Sequence, residues 1–306
     1  MFSLPRLPSL QVSFKFPYLP SLRRLYHTAG SPILDTMTKG TPIPDGNAKK
    51  LKILMLHGYT QSGPLFHDKT RSLEKLLIKS LKPVVPTFTY PTAPIRLVPA
   101  DIPGFDREKA ETDNLDAWGW WKRETGGDKY IGLEQGLDSI AQAIKEVDGI
   151  DAVIGFSQGA AAAMMVASLL QPSRSSFFPA PSEARFGFPP SWNRLPALHP
   201  NGLKFAVSYS GFMTPNAMYK GFYEPKISCR TLHFIGSLDS VVEESRCLAL
   251  MGACEEAMAT KVVHPGGHFV PVGKEMGGLL VGFVRESIKQ EEDEKEKSVE
   301  DMDVPF

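Results

Sequence analysis

The segment from residue 151 to residue 170 restricts the possible folds more than any other part of the sequence. An apolar run typical of a buried strand ends in Gly155–Gly159, whose sequence is Gly-Phe-Ser-Gln-Gly. An Ala- and Met-rich stretch typical of a buried helix begins directly after it. Glycines on both sides of Ser157 allow neighbouring backbone to approach closely. The segment therefore predicts a sharp strand-to-helix turn that presents Ser157 at the edge of a sheet.

Strands and helices alternate through the middle of the chain. Apolar and β-branched runs predict further strands near residues 51–58, 84–90, 203–210, 231–236 and 261–264. Patterns of helical period lie between or after them, near residues 65–81, 133–147, 243–258 and 272–288. This alternation is typical of an α/β fold, with a mostly parallel sheet and helices on both faces. We expect one domain over residues 49–289, with a Pro-rich insertion, loop or small lid at residues 171–202.

The two ends of the chain differ from the middle in composition. Residues 1–34 contain four basic and no acidic side chains, which is typical of a mitochondrial transit segment. Prolines in this segment would interrupt an amphipathic helix, so a disordered leader over residues 1–48 is the other interpretation. Residues 289–306 contain eight acidic residues and three lysines. Because they bury too little apolar surface to offset the entropy of ordering, we expect an acidic disordered tail at residues 290–306.

Charge and cysteine content argue against several classes of function. Lys and Arg total 34 and Asp and Glu total 34, so the zero net charge provides no basis for nucleic-acid binding. No apolar stretch of about 18 residues is present, so no membrane span is expected. Cys229, Cys247 and Cys254 have no C-x-x-C spacing, which argues against a disulfide framework or a zinc site. We expect a cytoplasmic protein, or a mitochondrial one if residues 1–36 act as a transit segment.

A serine hydroxyl needs a general base to become a nucleophile, and two histidines compete for that role. His268 lies in a Gly-rich loop after the last predicted strand, where a side chain can reach across the end of the sheet. His264 lies four residues earlier and still belongs to the strand. We therefore predict Ser157 as the nucleophile and His268 as its base, with His264 as the rival.

The histidine in such a site needs a carboxylate that orients the imidazole and stabilises its charged form. Asp239 lies just beyond the strand predicted at residues 231–236. Glu243 and Glu244 are nearby rivals, but they fall at a helix start, where acidic residues are common. We predict Asp239 as the third member, because the chain order serine, aspartate, histidine is that of α/β-hydrolases.

An acyl-transfer site also needs hydrogen-bond donors for the oxyanion that forms on the substrate carbonyl. The backbone N–H of Gln158, which follows the nucleophile, is one expected donor. The other should come from the loop after the first strand, and we assign it to Tyr59, with Thr60 as the alternative. His57 in the same loop is interpreted as a structural histidine.

Several short motifs carry these candidate residues. They are Leu56–Gly63, Gly155–Ala161, Ser208–Phe212, Gly236–Asp239 and His264–His268, together with the aromatic stretch Ala117–Trp121. In combination they resemble the fungal family of serine hydrolases called FSH, whose relatives include the human ovarian-cancer-associated hydrolase and polyketide-releasing thioesterases. The resemblance spans about residues 51–285 and implies an α/β-hydrolase fold, no cofactor, and activity on carboxylic esters or thioesters. It also implies the roles given above to Ser157, Asp239 and His268. The long Pro-rich insertion and the glycine within the aromatic stretch depart from the family pattern.

The expected substrate is a small-molecule ester or thioester with an apolar acyl group. Aromatic side chains that could either line an acyl site or fill the core are Phe105, Trp118, Trp120, Trp121 and Tyr130. The leading hypothesis is a serine carboxylesterase or thioesterase that acts through an acyl-enzyme. The alternatives are hydrolysis of another acyl bond, such as a peptide or C–C bond, and a vestigial site in a binding protein. The sequence contains neither metal-ligand spacing nor a phosphate-binding glycine loop, so no metal or other cofactor is predicted.

Overall fold

A parallel sheet forms the centre of the computed structural model, which describes residues 49–104 and 115–300. The strands of this part of the chain are β1 (Lys50–Leu56), β2 (Val85–Thr89), β3 (Ile95–Arg96), β4 (Trp118–Gly119), β5 (Lys122–Arg123), β6 (Tyr130–Ile131), β7 (Ala152–Phe156), β8 (Phe205–Tyr209), β9 (Thr231–Gly236) and β10 (Ala259–His264). Six of them form the main sheet in the order β10-β9-β8-β7-β1-β2, and every neighbouring pair is parallel. The short strands pair as β3 with β4 and β5 with β6. The predicted leader, Phe105 and residues 301–306 lie outside the described residues.

Helices cover both faces of the main sheet. The α-helices of the described residues are α1 (Gly63–Ser80), α2 (Leu133–Glu146), α3 (Gln158–Leu169), α4 (Glu244–Gly252) and α5 (Lys274–Glu300). Leu73 of α1 and Val284 of α5 share one buried cluster with Ile154, whereas Ile140 of α2 shares another with Val153. Consecutive residues of β7 thus point to opposite layers, as expected for a strand. The predicted α/β fold is confirmed. No helix within residues 49–104 and 115–300 has both the length and the apolar character needed to cross a membrane.

Strand β7 and helix α3 form the most deeply buried part of the molecule. All five residues of β7 and all twelve of α3 are buried. β7 lies between β1 and β8, so both of its edges are hydrogen-bonded and both of its faces are covered. Small alanine side chains let α3 lie close to the sheet, and close packing of this kind leaves little room for movement. The turn between β7 and α3 is therefore held in a fixed position.

Two helices differ in length from the prediction. α4 ends at Gly252, earlier than the helical pattern indicates. The chain turns after this residue because the backbone of Cys254 pairs with that of Ile227 in an isolated β-bridge. α5 continues to Glu300, whereas the composition led us to expect a disordered tail from residue 290. Glu, Lys and Gln dominate that stretch and are strong helix formers, which favours continuation of the helix.

The Pro-rich insertion at residues 171–202 is anchored to the α2 and α3 side of the molecule. Arg174 is buried and donates to Ser168 Oγ at 2.6 Å. Trp192 is also buried, and its ring N–H donates to Leu137 O of α2 at 3.1 Å. Short 3-10 turns connect these anchors. These contacts favour the interpretation of the insertion as a packed loop over that of a lid.

Candidate active site

Ser157 lies in the turn between β7 and α3, in a backbone conformation that residues other than glycine rarely adopt. Its φ is 52° and its ψ is −116°, and such strain clusters at functional sites. A Cβ atom added at Gly155 would lie 2.1 Å from Gly159 O, and one added at Gly159 would lie 2.1 Å from Leu56 O. Both glycines are therefore required by backbone contacts, because any side chain there would displace the turn.

Ser157, His268 and Asp239 are joined by hydrogen bonds at the carboxyl edge of the sheet. His268 lies in the loop after β10 and Asp239 in the loop after β9. His268 Nε2 is 2.9 Å from Ser157 Oγ, and His268 Nδ1 is 2.8 Å from Asp239 Oδ2. The side chain of Asp239 is 1% exposed and that of His268 is 17% exposed. The structure thus brings together the three residues selected from the sequence, with the imidazole between the serine and a buried carboxylate.

The Asp239 carboxylate accepts hydrogen bonds on both of its oxygens. Oδ1 accepts from the backbone N–H groups of Val241 and Val242, each at 2.9 Å, while Oδ2 faces His268. Burial alone would raise the pKa of Asp239, but the hydrogen bonds from Val242, His268 and Val241 lower it below its ordinary value. The carboxylate is therefore ionised at neutral pH. It favours the imidazole tautomer with a proton on Nδ1, which leaves Nε2 able to accept the serine proton.

The rival residues occupy other positions. His264 is buried in β10, and its ring packs edge-on against Phe269 with the centroids 5.4 Å apart. Burial also lowers the pKa of His264. Glu243 and Glu244 stand at the beginning of α4, where acidic side chains suit the helix dipole. The geometry therefore favours His268 over His264 and Asp239 over the two glutamates.

The loop after β1 lies against the serine. A Cβ atom added at Gly58 would lie 3.4 Å from Ser157 Cβ. Gly58 N donates to Gln61 Oε1 at 3.3 Å, and Thr60 N donates to Trp118 O at 2.9 Å. Thr60 has a φ of 67°, so this loop, like the serine turn, contains a strained residue. The loop is thus tied down on both sides of Tyr59.

The backbone N–H groups of Tyr59 and Gln158 belong to the two segments that meet at Ser157. Within residues 49–104 and 115–300, neither Tyr59 N nor Gln158 N donates to an acceptor. Gln158 is the first residue of α3, where the helix dipole adds positive potential. Thr60, the alternative donor from the sequence, is already bonded. The Tyr59 ring lies over Gly119, where a Cβ atom would be 2.7 Å from Tyr59 Cε2. The glycine of the aromatic stretch thus makes room for this ring.

His57 is fully buried and holds the loop in place. Its Nδ1 is 2.8 Å from Gly58 O, and its Nε2 accepts from the Ala93 N–H at 2.9 Å. Burial lowers the pKa of His57 to about 4, although the hydrogen bond to Gly58 opposes this. Trp120 Nε1 donates to His57 O at 2.9 Å. Both ring nitrogens are therefore engaged by backbone, which agrees with the structural role inferred from the sequence.

The aromatic stretch at residues 117–121 mostly fills the core. Trp120 and Trp121 are 0% and 2% exposed, and the Trp121 ring stacks on Tyr130 with the centroids 4.8 Å apart. Of the two interpretations of these side chains, core packing is therefore the one that the structure supports. They do not form an open wall for an acyl chain.

Large apolar side chains are exposed on the two loops that contain Asp239 and His268. The exposed fractions are 72% for Leu238, 63% for Val241, 50% for Phe269 and 47% for Val272. The loops contact each other, since Leu238 N donates to Gly266 O at 3.0 Å. Exposed apolar groups on neighbouring loops are typical of surfaces that bind a ligand or a partner. We call these four side chains the apolar rim; sequence patterns did not reveal them.

A cavity of about 540 Å³ lies at the opposite, amino edge of the sheet. Asp151, Lys204 and Arg230 line it, and they directly precede β7, β8 and β9. Asp151 and Lys204 form an ion pair at 3.2 Å. This cavity is therefore remote from Ser157. The candidate site is located by the hydrogen bonds that join Ser157, His268 and Asp239. In the described part of the chain, no three His, Cys, Asp or Glu side chains are grouped so that they could hold a metal ion.

The fold defines the class of protein. A parallel sheet covered by helices on both faces, with a strand that runs into the tight turn at Ser157, is the architecture of an α/β-hydrolase. The fold of this chain is similar to that in the crystal structure of Zea mays acyl-protein thioesterase 2. The two share a TM-score of 0.51 and 18% sequence identity, over 79% of this chain and 95% of that one.

Sequence comparisons show the family. The model of the serine hydrolase (FSH1) family matches residues 47–278, and the chain belongs to this family of serine hydrolases, which confirms the resemblance of the motifs. The chain is 28% identical to esterase OVCA2 of Danio rerio over 244 residues, which cover 74% of this chain and 92% of that protein. It is 32% identical to a dihydrofolate reductase of Schizosaccharomyces pombe over 230 residues. That match covers 73% of this chain but 44% of the yeast protein, so the chain spans less than half of that relative.

Proposed function

We propose that this serine hydrolase cleaves carboxylic esters or thioesters through an acyl-enzyme on Ser157. The observation that carries the proposal is the continuous chain from Ser157 Oγ to His268 at 2.9 Å and on to Asp239 at 2.8 Å. In this proposal His268 is the general base and acid, and Asp239 orients it. The family membership and the esterase name of a relative support hydrolysis of an ester.

The proposed reaction has two halves. His268 Nε2 takes the Ser157 proton as Oγ attacks the substrate carbonyl carbon. The oxyanion of the tetrahedral intermediate accepts hydrogen bonds from the N–H groups of Tyr59 and Gln158. His268 then protonates the leaving alcohol or thiol, which departs and leaves the acyl group on Ser157. In the second half His268 deprotonates a water molecule, which attacks the acyl-enzyme carbonyl carbon. His268 then returns this proton to Ser157 Oγ as the ester bond to the serine breaks and the carboxylic acid departs.

The proposed substrate is a small molecule with an apolar acyl group. The apolar rim supports this, because it stands on the loops that position Asp239 and His268 and its side chains remain exposed to solvent. Removing apolar surface from water contributes about 25 cal/mol per Å². An acyl chain that covers on the order of 100 Å² would thus gain about 2.5 kcal/mol in binding free energy.

Labelling with a fluorophosphonate probe tests the nucleophile. We expect the wild-type protein to be labelled and to hydrolyse p-nitrophenyl esters. Ser157→Ala should remain unlabelled, with kcat lower by about 10⁴-fold or more and an unchanged circular dichroism spectrum. Equal labelling of the variant would contradict the proposed nucleophile. A labelled wild type that cleaves neither esters nor thioesters would favour another acyl bond, and a folded wild type that is not labelled would favour a vestigial site.

We also propose a cytoplasmic location. All three cysteines, Cys229, Cys247 and Cys254, are free and buried, which suits a reducing compartment. The alternative is the mitochondrion, if residues 1–36 act as a transit segment. Fluorescent fusions with and without those residues distinguish the two, and a mitochondrial signal that depends on residues 1–36 would contradict the cytoplasmic proposal.

A further inference from the structure

The side chain of Gln158 makes two hydrogen bonds. They are separate from the contact with the oxyanion that is proposed for its backbone N–H. The residue is 5% exposed. Its Oε1 accepts from Trp120 N at 2.8 Å, and its Nε2 donates to Trp121 O at 2.8 Å. Both ends of the carboxamide are therefore bonded to the backbone of the aromatic stretch. A buried amide with both ends satisfied holds its neighbours in one register.

The same aromatic stretch also holds the loop that presents Tyr59. Trp118 O accepts from Thr60 N at 2.9 Å, and Trp120 Nε1 donates to His57 O at 2.9 Å. Thr60 and His57, which lie on either side of the Tyr59 N–H in sequence, are thus bonded to Trp118 and Trp120, respectively. The two proposed oxyanion donors come from segments about a hundred residues apart in sequence, and both segments are bonded to this short piece of chain.

The aromatic stretch itself has little freedom to move. A Cβ atom added at Gly136 of α2 would lie 2.1 Å from Trp120 O, so the helix backbone lies directly against the stretch. The Trp120 ring is fully buried and lies 5.0 Å from the His57 ring, measured between centroids. A rigid element that contacts both donor segments can set the distance between them.

We propose that the Gln158 side chain is a positioning residue for the oxyanion donors. By bonding to Trp120 and Trp121, it fixes the start of α3, and hence its own N–H, relative to the N–H of Tyr59. The inference rests on the proposed function, since it concerns the oxyanion of that reaction. Donors stabilise a transition state only when they lie about 2.7–3.1 Å from the developing charge, so a small loss of register lowers the rate.

Three substitutions at position 158 test this role, because every variant retains the backbone N–H. For Gln158→Ala and Gln158→Met, we expect kcat to fall about 10- to 100-fold while KM changes less than about threefold. Gln142→Ala is the matched control, since Gln142 is an exposed glutamine of α2 that bonds only Glu146 within the described residues. It should leave kcat, KM and the melting temperature near those of the wild type.

The third substitution, Gln158→Glu, tests the pH dependence of kcat, which a purely structural role of the side chain would not change. When the introduced carboxyl group is ionised, it places a negatively charged oxygen against Trp121 O, whereas the protonated acid can donate there as the amide does. Burial favours the protonated form and raises the pKa of this carboxyl group. The ratio of the kcat of the variant to that of the wild type should therefore rise as the pH is lowered towards 6, measured at each pH in parallel.

The outcomes separate the inference from the proposed function. Gln158→Ala and Gln158→Met with wild-type kcat would overturn the inference while labelling of Ser157 still upheld the proposed function. A drop in kcat that is matched by the same drop in folded fraction, with no pH-dependent recovery in Gln158→Glu, would also overturn it. If the wild type itself neither labels nor turns over, the proposed function fails first, and the positioning role fails with it.

Discussion

The two halves of the site are held in different ways. The oxyanion half, formed by the loop at residues 57–63 and the start of α3, is mostly buried, with Tyr59 and Thr60 half-buried, and is tied by hydrogen bonds to the aromatic stretch. The proton-transfer half lies on the loops after β9 and β10, where Asp239 is buried but the apolar rim is exposed. One half is thus largely part of the core, and the other is a pair of surface loops in which few residues, such as Asp239 and Val242, are buried.

This difference assigns separate tasks to the two halves. Oxyanion donors must keep their positions to within a fraction of an ångström, which a packed core can provide. Surface loops tolerate changes of side chain without disturbing the fold. Groups that contact different substrates can therefore vary on the loops after β9 and β10, while the donors remain fixed. Substitutions in the two halves should accordingly have different effects on stability and on turnover.

The largest effect is expected from loss of the base in the proton-transfer half. His268→Gln should lower kcat/KM by about 10⁴-fold, because Ser157 loses its proton acceptor. Its melting temperature should remain close to that of the wild type, since the His268 side chain is partly exposed. His264→Gln is the matched control and should retain activity within a few-fold while losing stability, because His264 is buried. The reverse ranking of the two activities would identify His264 as the base.

An intermediate effect, on the unfolding free energy, is expected when the pH is lowered, because the oxyanion half contains buried His57. Because the pKa of buried His57 is about 4 and that of an exposed histidine is about 6.5, the unfolded chain binds a proton first as the pH falls. The unfolding free energy should therefore decrease between pH 6.5 and 4, by about 3 kcal/mol from this residue. Asp239 acts in a lower window: its pKa is lowered on folding, so its contribution is lost only as the pH falls below about 4.

Denaturant unfolding of the wild type and His57→Gln across this range measures the effect. Glutamine can accept from Ala93 N as the histidine does, but it does not titrate. The stability difference between the two proteins should shrink as the pH falls from 6.5 towards 4. Two parallel curves would show that His57 is already protonated, or exposed, in the folded protein.

The smallest effect is expected at the apolar rim. Leu238→Ser and Phe269→Ser should each lower kcat/KM for a long-chain p-nitrophenyl ester by about tenfold, which corresponds to about 1.4 kcal/mol. Hydrolysis of the acetate ester should change little in both variants. The unfolding free energy should change little in Leu238→Ser, since Leu238 is mostly exposed, and should fall somewhat in Phe269→Ser, since that ring packs against His264. Ile78→Ser on α1, which is also exposed, is the control. An equal loss with acetate and with the long-chain ester would indicate a general disturbance of the loop instead of a contact with the acyl chain.

The sequence predicted the fold well because its local patterns are strong. β7 and α3 are each continuous apolar runs, and the glycines at 155 and 159 mark the turn between them. The candidate residues Ser157, Asp239 and His268 could be selected because the carboxyl ends of parallel strands meet at one edge. Their catalytic roles remain predictions that the experiments above test.

Features that depend on contacts distant in sequence could not be predicted. The two bonds of the Gln158 side chain join residues 38 and 37 positions apart, and no local pattern indicates them. The early end of α4 depends on the backbone β-bridge between Cys254 and Ile227. Burial of Trp120 and Trp121 was one of two interpretations, because an aromatic run is compatible both with a core and with an open wall.

The backbone strain at Ser157 and Thr60 has a consequence for engineering. Each has a positive φ, 52° and 67°, in a region that costs about 1–3 kcal/mol for residues other than glycine. The molecule is therefore less stable than its sheet and helices alone would allow. Selection for heat resistance alone would favour relaxing these residues, and it would do so at the two turns that aim the nucleophile and the oxyanion loop. Thermostability and turnover are thus opposing objectives at these positions, and stabilising changes are better placed at the amino edge of the sheet.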